Sequence, residues 1–473
     1  MAEQKQKVVI IGGGISGLTA AYYLQKSISA DRLPIEVQLI EASHRLGGKM
    51  QTVNRDGFII ERGPDSFLAR KTSIIKLAKE VGMEDKLVPN STGKSFVLVN
   101  EELYPIPGGA MMGIPTEIGP FITTGLISIP GKLRAAADLI LPRSESGKDQ
   151  SLGGFFRRRL GDELVDNLIE PLLSGIYAGD IDQLSLQSTF PQFYEVEQKY
   201  RSLIMGMKKS APPKPKVIKE NKTGGFLTFK TGLQSFAEAI EVKLAHQSIL
   251  KGHRVEKISR VNRQYEIYLN NGEVLAADSI IAATPHKVTQ AMFSDYSFFD
   301  PFKSVPSTSV ATVALAFPEK AIKKDIDGTG FVVSRHNDYS ITACTWTHKK
   351  WIHSAPKGKV LLRCYVGKAG DETIVDLSDD QIVKIVLDDL KKTMDITMNP
   401  DFFIVSRWKN AMPQYTVGHK QRLAKILEQM KKELPGVYLA GSSYGGVGVP
   451  DCINQGEAAV KQVLDFLKEA VQS

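Results

Sequence analysis

Two hydrophobic periods alternate along the first forty residues. Val8-Val9-Ile10-Ile11 is uninterruptedly apolar, as in a strand covered on both faces of a parallel sheet. Gly12, Gly13, Gly14 and Gly17 follow, after which Leu18, Ala20, Ala21 and Leu24 recur at helical spacing. Ile35 to Ile40 predicts a second strand that ends in Glu41. Residues 90–210 change character, with short helical patterns broken by prolines, and predict an inserted helical subdomain. Alternation returns from Arg254 to Ala276, with Asn270-Asn271-Gly272 as a tight hairpin turn. Ser279 to Ala283 predicts a buried strand, and 308–318 and 359–366 predict strands of a mixed sheet in a second domain. Val437 to Ala440 predicts a last strand, followed by a glycine-rich turn (441–448) and a closing amphipathic helix from about Ile453. One strand set thus begins at residue 7, resumes near 254–284 and finishes at 437–470, so the first domain is expected to be discontinuous. There is no internal repeat.

Composition narrows the class. The chain has 473 residues, 42% hydrophobic and 24% charged, which predicts several globular domains and excludes a small binding module. Three cysteines, Cys344, Cys364 and Cys452, form no C-x-x-C pair, so a disulfide framework, a zinc site or an iron–sulfur site is not expected. A cytoplasmic, reducing setting follows. The net charge of +8 suits acidic ligands, but the basic residues are dispersed and match no nucleic-acid-binding pattern. The densest basic stretch, Lys208 to Lys222, contains Pro212, Pro213 and Pro215 and reads as a solvated loop. No run is long and apolar enough for a spanning helix. The uncharged stretch Ile118 to Pro130, with Leu133, Leu139 and Ile140, predicts either a buried helical subdomain or an apolar face for peripheral membrane contact.

Gly12-Gly13-Gly14-Ile15-Ser16-Gly17 matches G-x-G-x-x-G between a strand and a helix, and Glu41 stands 24 residues beyond Gly17 at the end of the second strand. Such glycines let the backbone approach a pyrophosphate at the positive end of the helix dipole, while the acid accepts ribose hydroxyls. Arg45-Leu46-Gly47-Gly48-Lys49 follows at once, and paired glycines flanked by cations resemble the second fingerprint of flavin-dependent amine oxidases and their relatives. FAD becomes the expected cofactor. Two alternatives share these motifs: a flavin amine oxidase or carotenoid desaturase, and a non-catalytic FAD-bound scaffold. No G-x-S-x-G nucleophile turn and no H-E-x-x-H metal motif occurs.

Three longer blocks are more specific: Glu61-Arg62-Gly63-Pro64-Asp65-Ser66-Phe67, the run from Glu170 to Asp180, and Gly445 to Ile453 with its Pro450-Asp451-Cys452. They resemble the oxygen-dependent porphyrinogen oxidase family, over nearly the whole chain, and most closely its branch in the coproporphyrin-dependent haem pathway. The resemblance implies an α/β fold with α+β character: a discontinuous Rossmann-like FAD-binding domain of the amine oxidase and glutathione reductase superfamily (1–58, 228–298 and 402–473), a mixed-sheet substrate-binding domain (59–88, 193–227 and 299–401) and a helical, membrane-facing domain (89–192). It implies that FAD is bound non-covalently. It implies oxidation of coproporphyrinogen III to coproporphyrin III, and of protoporphyrinogen IX to protoporphyrin IX, with molecular oxygen as acceptor and release of hydrogen peroxide. Pathway logic adds hand-over of the product to a ferrochelatase.

Carried over residue by residue, the resemblance assigns Gly12 to Gly17, Glu41, Ala42, Arg45, Gly48, Lys49 and Gly63-Pro64-Asp65-Ser66 to FAD, together with Val255 by its backbone, Trp408, and Val447-Gly448-Val449. Gly441 is followed by Ser442 where many relatives carry an acid, so the ribityl contact is expected to differ. Lys71 matches a cation that pairs with a substrate propionate. Gly175 and Ile176 match a segment over the macrocycle, and Tyr365 is expected in the cavity wall. No obligatory catalytic side chain is implied.

Overall fold

The computed structural model describes residues 5–210 and 225–472. Its first sheet is five-stranded and parallel, in the order Ile249–Lys251, Ile35–Glu41, Gln6–Ile11, Ser279–Ala282, Val437–Leu439. The uninterrupted apolar run in the first strand has its reason here. Val8 and Ile10 join a helical core with Leu18, Ala21 and Leu24 of helix Ile15–Asp31 and Val460 and Val463 of helix Val449–Gln472. Val9 and Ile11 face the other way, into a core with Val255, Ile258, Tyr265 and Ile267. Those residues belong to a three-stranded antiparallel sheet, Val255–Val261, Gln264–Leu269 and Val274–Ala277. Its second hairpin turns at Gly272, whose φ is +86°. The closing helix starts at Val449, earlier than expected, because Pro450 falls in its first turn, where a missing N–H costs no helical hydrogen bond. The two long helices touch closely at Gly456, where a Cβ would lie 2.5 Å from the Ser16 carbonyl oxygen.

A seven-stranded mixed sheet forms the second unit, in the order Phe402–Pro413, Ser307–Pro318, Lys359–Val366, Ile341–Trp346, Gly330–Val333, Phe96–Val99, Glu102–Pro105. One face (Val313, Leu315, Leu362, Cys364) packs on Ile382, Val386 and Leu390 of helix Asp379–Met394. Ser378 and Gln381 close that helix's first turn as a capping box. The opposite face, period-two neighbours of the first, carries Thr312, Arg363, Tyr365 and Trp408.

Helices between Ile118 and Ser210 share a third core built on Phe155, Phe156, Leu164 and Phe193. Within it Arg159, fully buried, meets Asp138 at 2.5 Å.

Three stretches sit differently from the domain limits given above. Phe402–Pro413 pairs with Ser307–Pro318 rather than joining the parallel sheet. Phe96–Val99 and Glu102–Pro105 belong to the seven-stranded sheet rather than to the helical unit. Residues 193–210 pack on the helical core through Phe193, Leu203 and Met207 rather than on the mixed sheet. The basic stretch from Lys208 lies outside the described residues from position 211 to its end at Lys222.

Candidate functional site

A cavity of about 1060 Å³ opens where the parallel sheet, the mixed sheet and the helical unit meet. It exceeds the few hundred to about 1,000 Å³ of an ordinary small-molecule site, room for part of a dinucleotide and a macrocycle together.

One end is made by the glycine turn. Gly12 turns with φ +104°, and a Cβ there would stand 2.6 Å from the Ala283 carbonyl oxygen. At Gly17 a Cβ would stand 1.9 Å from the Gly12 oxygen, whereas at Gly14 it would meet nothing within 4 Å. Gly14 is the N-cap of helix Ile15–Asp31 and offers no side-chain cap, leaving the first N–H groups of the helix at the cavity. The second glycine turn is fastened to the first by Gly47 N–H donating to Gly13 oxygen at 2.8 Å. Glu41 accepts from Gly13 N–H at 2.6 Å and from Ser43 N–H at 2.8 Å, so its carboxylate braces the turn as well as facing the cavity. Together, an open Gly14, an uncapped helix start and a lining acid fit the adenosine diphosphate part of FAD.

Arg45 and Lys49 act differently from each other. Arg45 donates to the carbonyls of Leu46, Met50 and Gly48 and is absent from the lining, so it shapes the loop instead of facing phosphate. Lys49 lines the cavity; its ammonium donates to the Ala411 carbonyl, and burial pushes its pKa down.

The segment after Glu61 crosses from this end to the mixed sheet. Gly63 is required there, since a Cβ would stand 1.9 Å from the Lys49 carbonyl oxygen. The Arg62 carbonyl accepts from Thr312 Oγ1 at 2.9 Å and from Trp408 Nε1 at 2.8 Å, and the Gly63 carbonyl accepts from Arg363 Nη2. Burial works against ionisation of Asp65, but Lys350, 2.8 Å away, and Arg363 outweigh it and hold the carboxyl well below the usual range. Glu61 is the reverse case: burial pushes it up to about 7, against the hydrogen bonds from Leu233 N–H and Thr52 Oγ1.

The other end is walled by Tyr365 and by the helix Glu170–Tyr177 and the turn that follows. Gly175 and Ile176 both line it, and a Cβ on Gly175 would meet nothing within 4 Å. Burial pushes Glu170 up, opposed by Arg335 and Lys368 at the rim.

Of the positions assigned from sequence, Gly12, Gly14, Ile15, Ser16, Glu41, Ala42, Gly48, Lys49, Gly63 to Ser66, Val255, Trp408, Val447 to Val449, Gly175, Ile176 and Tyr365 line this one cavity, and Ser442 joins them. Gly13, Gly17, Arg45 and Lys71 do not. Lys71 Nζ lies 2.6 Å from both carboxylate oxygens of Asp451. That pair would have to open before Lys71 met a propionate. Thr312, Arg363, Arg335 and Lys368 were missed. Arg363 did leave a signal, one arginine inside the apolar strand Val360-Leu361-Leu362-Arg363-Cys364.

Comparisons with known proteins identify the family. The flavin containing amine oxidoreductase family matches residues 15–464. The chain is 57% identical to the coproporphyrinogen III oxidase of Bacillus subtilis (strain 168) over 468 residues, 99% of this chain and 100% of that one. It is 47% identical to the coproporphyrinogen III oxidase of Staphylococcus aureus (strain NCTC 8325 / PS 47), covering 97% and 99% of the two chains. A solved structure from Exiguobacterium sp. 255-15 superposes with a TM-score of 0.86 at 40% identity, covering 98% of this chain and 99% of that one.

Proposed function

The chain belongs to the flavin containing amine oxidoreductase family, and from that premise we propose that it is an FAD-dependent coproporphyrinogen III oxidase of haem synthesis. The observation that carries the reading is one cavity of about 1060 Å³, with the glycine cradle at one end and the Glu170–Asp180 block at the other. Near-complete coverage at 57% identity to a coproporphyrinogen III oxidase supports the porphyrinogen class over an amine or a carotene.

FAD would supply, when bound, a two-electron acceptor: in each of three rounds the substrate loses a hydride and a proton, and delivery of these two electrons and two protons to molecular oxygen gives one hydrogen peroxide. The protein's residues do the rest. Gly14, Ile15 and Ser16 offer a helix N-terminus to the phosphates, while Gly12, whose N–H is held by the Ile40 carbonyl at 2.8 Å, shapes the turn; Glu41 is the ribose acceptor, and Val255 a backbone contact for the adenine. Gly63 to Ser66, Trp408 and Val447 to Val449 enclose the flavin end, where Lys49 adds a positive charge. Ser442 replaces the usual acid beside the ribityl chain. Tyr365, Gly175 and Ile176 hold the macrocycle against that end and keep water out, so rate comes from positioning more than from a dedicated base.

The carboxylates of coproporphyrinogen suit Lys368 at the rim, which has no ion-paired acid among the described residues, and Arg335, which is paired with Asp182 at 2.8 Å and Asp180 at 3.5 Å and would have to exchange one of them. Lys71 joins them once Asp451 releases it. Assay of purified protein with both porphyrinogens under air is the test. The expected result is porphyrin formation with three peroxides per porphyrin and a preference for the tetracarboxylate. A clear preference for protoporphyrinogen contradicts the assignment, and turnover of an amine alone contradicts the class.

Membrane contact is part of the same proposal. No helix among the described residues is long and apolar enough to span a bilayer. Ile118, Ile122, Ile129, Leu133 and Ile140 nevertheless stand 60–78% exposed within one short stretch of the helical unit. Inserting such side chains into the interface is worth about 1.5–3 kcal/mol each. Ile129→Glu with Leu133→Glu is expected to cut co-sedimentation with phospholipid vesicles by about tenfold or more while leaving the thermal melt unchanged. We propose a cytoplasmic enzyme loosely attached to the membrane surface, with product hand-over to a ferrochelatase as the next step.

A further inference from the structure

We infer that Arg363 is a positioning residue that ties the cofactor-side loop to the substrate-side wall and gives that junction an uncompensated positive charge, raising the midpoint potential of the bound cofactor. The inference rests on the FAD reading above and extends it to a residue with no role so far.

Arg363 sits in the middle of strand Lys359–Val366 and is 3% exposed. Its Nη2 donates to the carbonyl of Gly63, and its guanidinium carbon stands 5.0 Å from the ring centre of Tyr365, two residues along on the same face. One side chain therefore touches both the loop at the flavin end and the ring at the macrocycle end.

The charge lacks a partner. Nε and Nη1 are buried without a hydrogen-bond acceptor, and no carboxylate lies within ion-pair distance among the described residues. The acids that feel the charge are otherwise engaged. Asp65 is bound by Lys350 at 2.8 Å, and Glu61, pushed up to about 7 by burial, is only partly ionised near neutral pH, so the two acids do not cancel the combined charge of Lys350 and Arg363. The cation–π contact with Tyr365 offsets only part of the desolvation cost of a buried guanidinium, which runs to several kcal/mol.

An unpaired cation in a low-dielectric cavity acts over several ångströms on whatever gains negative charge beside it. A flavin gains negative charge on reduction, and a charge near its ring is one of the means by which a protein tunes it. Thr312 and Trp408 bind the same loop through the neighbouring Arg62 carbonyl but are neutral. They can fix the loop's position but cannot shift the potential by charge.

The test is an anaerobic redox titration of the holoenzyme against a reference dye, with FAD content and thermal melt recorded in parallel, for wild type, Arg363→Met and Arg363→Lys. Arg363→Met is expected to lower the equilibrium constant for reduction by about tenfold or more, which is about 30 mV for a two-electron couple. Arg363→Lys keeps the charge and is expected to stay within about threefold of wild type. An unchanged potential in Arg363→Met, or an equal fall in the lysine variant, overturns the inference. If Arg363→Met does not retain FAD, Arg363→Gln replaces it: a fall in glutamine but not lysine supports the inference, and equal potentials overturn it. Loss of FAD from both neutral variants with retention in lysine also supports it, and loss from all three overturns it. The titration contains no porphyrinogen, so a wild type inactive on porphyrinogens would sink the proposed function while leaving this result readable.

Discussion

Gly14→Ala is expected to fold and to melt like the FAD-free wild type yet to purify with little FAD, whereas Gly17→Ala is expected to lose both cofactor and stability. The two glycines are three residues apart in one turn, but the space around them differs. A Cβ on Gly14 meets nothing of the protein within 4 Å and projects from a residue that lines the cavity. On the proposed function, what it would obstruct is the phosphate of FAD. A Cβ on Gly17 would stand 1.9 Å from the Gly12 carbonyl oxygen, a clash with main chain that forces the strand-to-helix turn apart. Overpacking of this kind costs about 1–3 kcal/mol, so FAD affinity should fall by about tenfold to a hundredfold in either variant. The variants separate in their melting curves without added FAD, and flavin absorbance per protein reports the loss. Equal melts for Gly14→Ala and Gly17→Ala would contradict the reading of the turn.

The largest effect on stability is expected away from the cavity. Asp138 is fully buried and accepts from Arg159 Nε at 2.5 Å, from Ser202 Oγ at 2.6 Å and from Ile204 N–H at 2.9 Å. Arg159, equally buried, has Glu197 as its other acid, at 3.6 Å. Asp138→Ala would leave the guanidinium without its nearest counter-charge and two donors unpaired. Breaking a buried pair from one side costs about 3–5 kcal/mol. The helical unit of Asp138→Ala should open at markedly lower denaturant, seen as early protease cleavage between residues 118 and 210. Asp138→Ala with Arg159→Met, which removes both charges, should recover part of the loss. If the double variant is no more stable than Asp138→Ala, the ion pair is not what secures this unit. Because Asp138 immediately precedes the apolar Leu139 and Ile140, the same pair also anchors the base of the proposed membrane face.

What could be read from the sequence divides along physical lines. The βαβ start was legible because Val8 to Ile11 alternate between two cores and both are apolar, a pattern no exposed strand can carry. The glycines were legible because only a close main-chain approach requires them. Lys71, Arg45 and Arg363 were not legible in the same way. A cation in a sequence gives no sign of whether its partner is a ligand, a carbonyl or a distant carboxylate. Asp451, 380 positions from Lys71 in the chain, decides that case. Arg45 turned inward because three carbonyls of its own loop were nearer than any cavity. The pairing of Phe402–Pro413 with Ser307–Pro318 is likewise a long-range choice that local pattern does not encode.

The central claim is that the glycine cradle holds a flavin whose reactive end faces a porphyrinogen in the same cavity. Mixing the yellow holoenzyme with coproporphyrinogen III in the absence of oxygen, and following the spectrum, tests it directly. Bleaching of the flavin bands is predicted as the substrate enters, with the porphyrin Soret band rising once air is admitted and the yellow colour returning. A flavin that stays oxidised in the presence of coproporphyrinogen, while dithionite bleaches it normally, would contradict the claim.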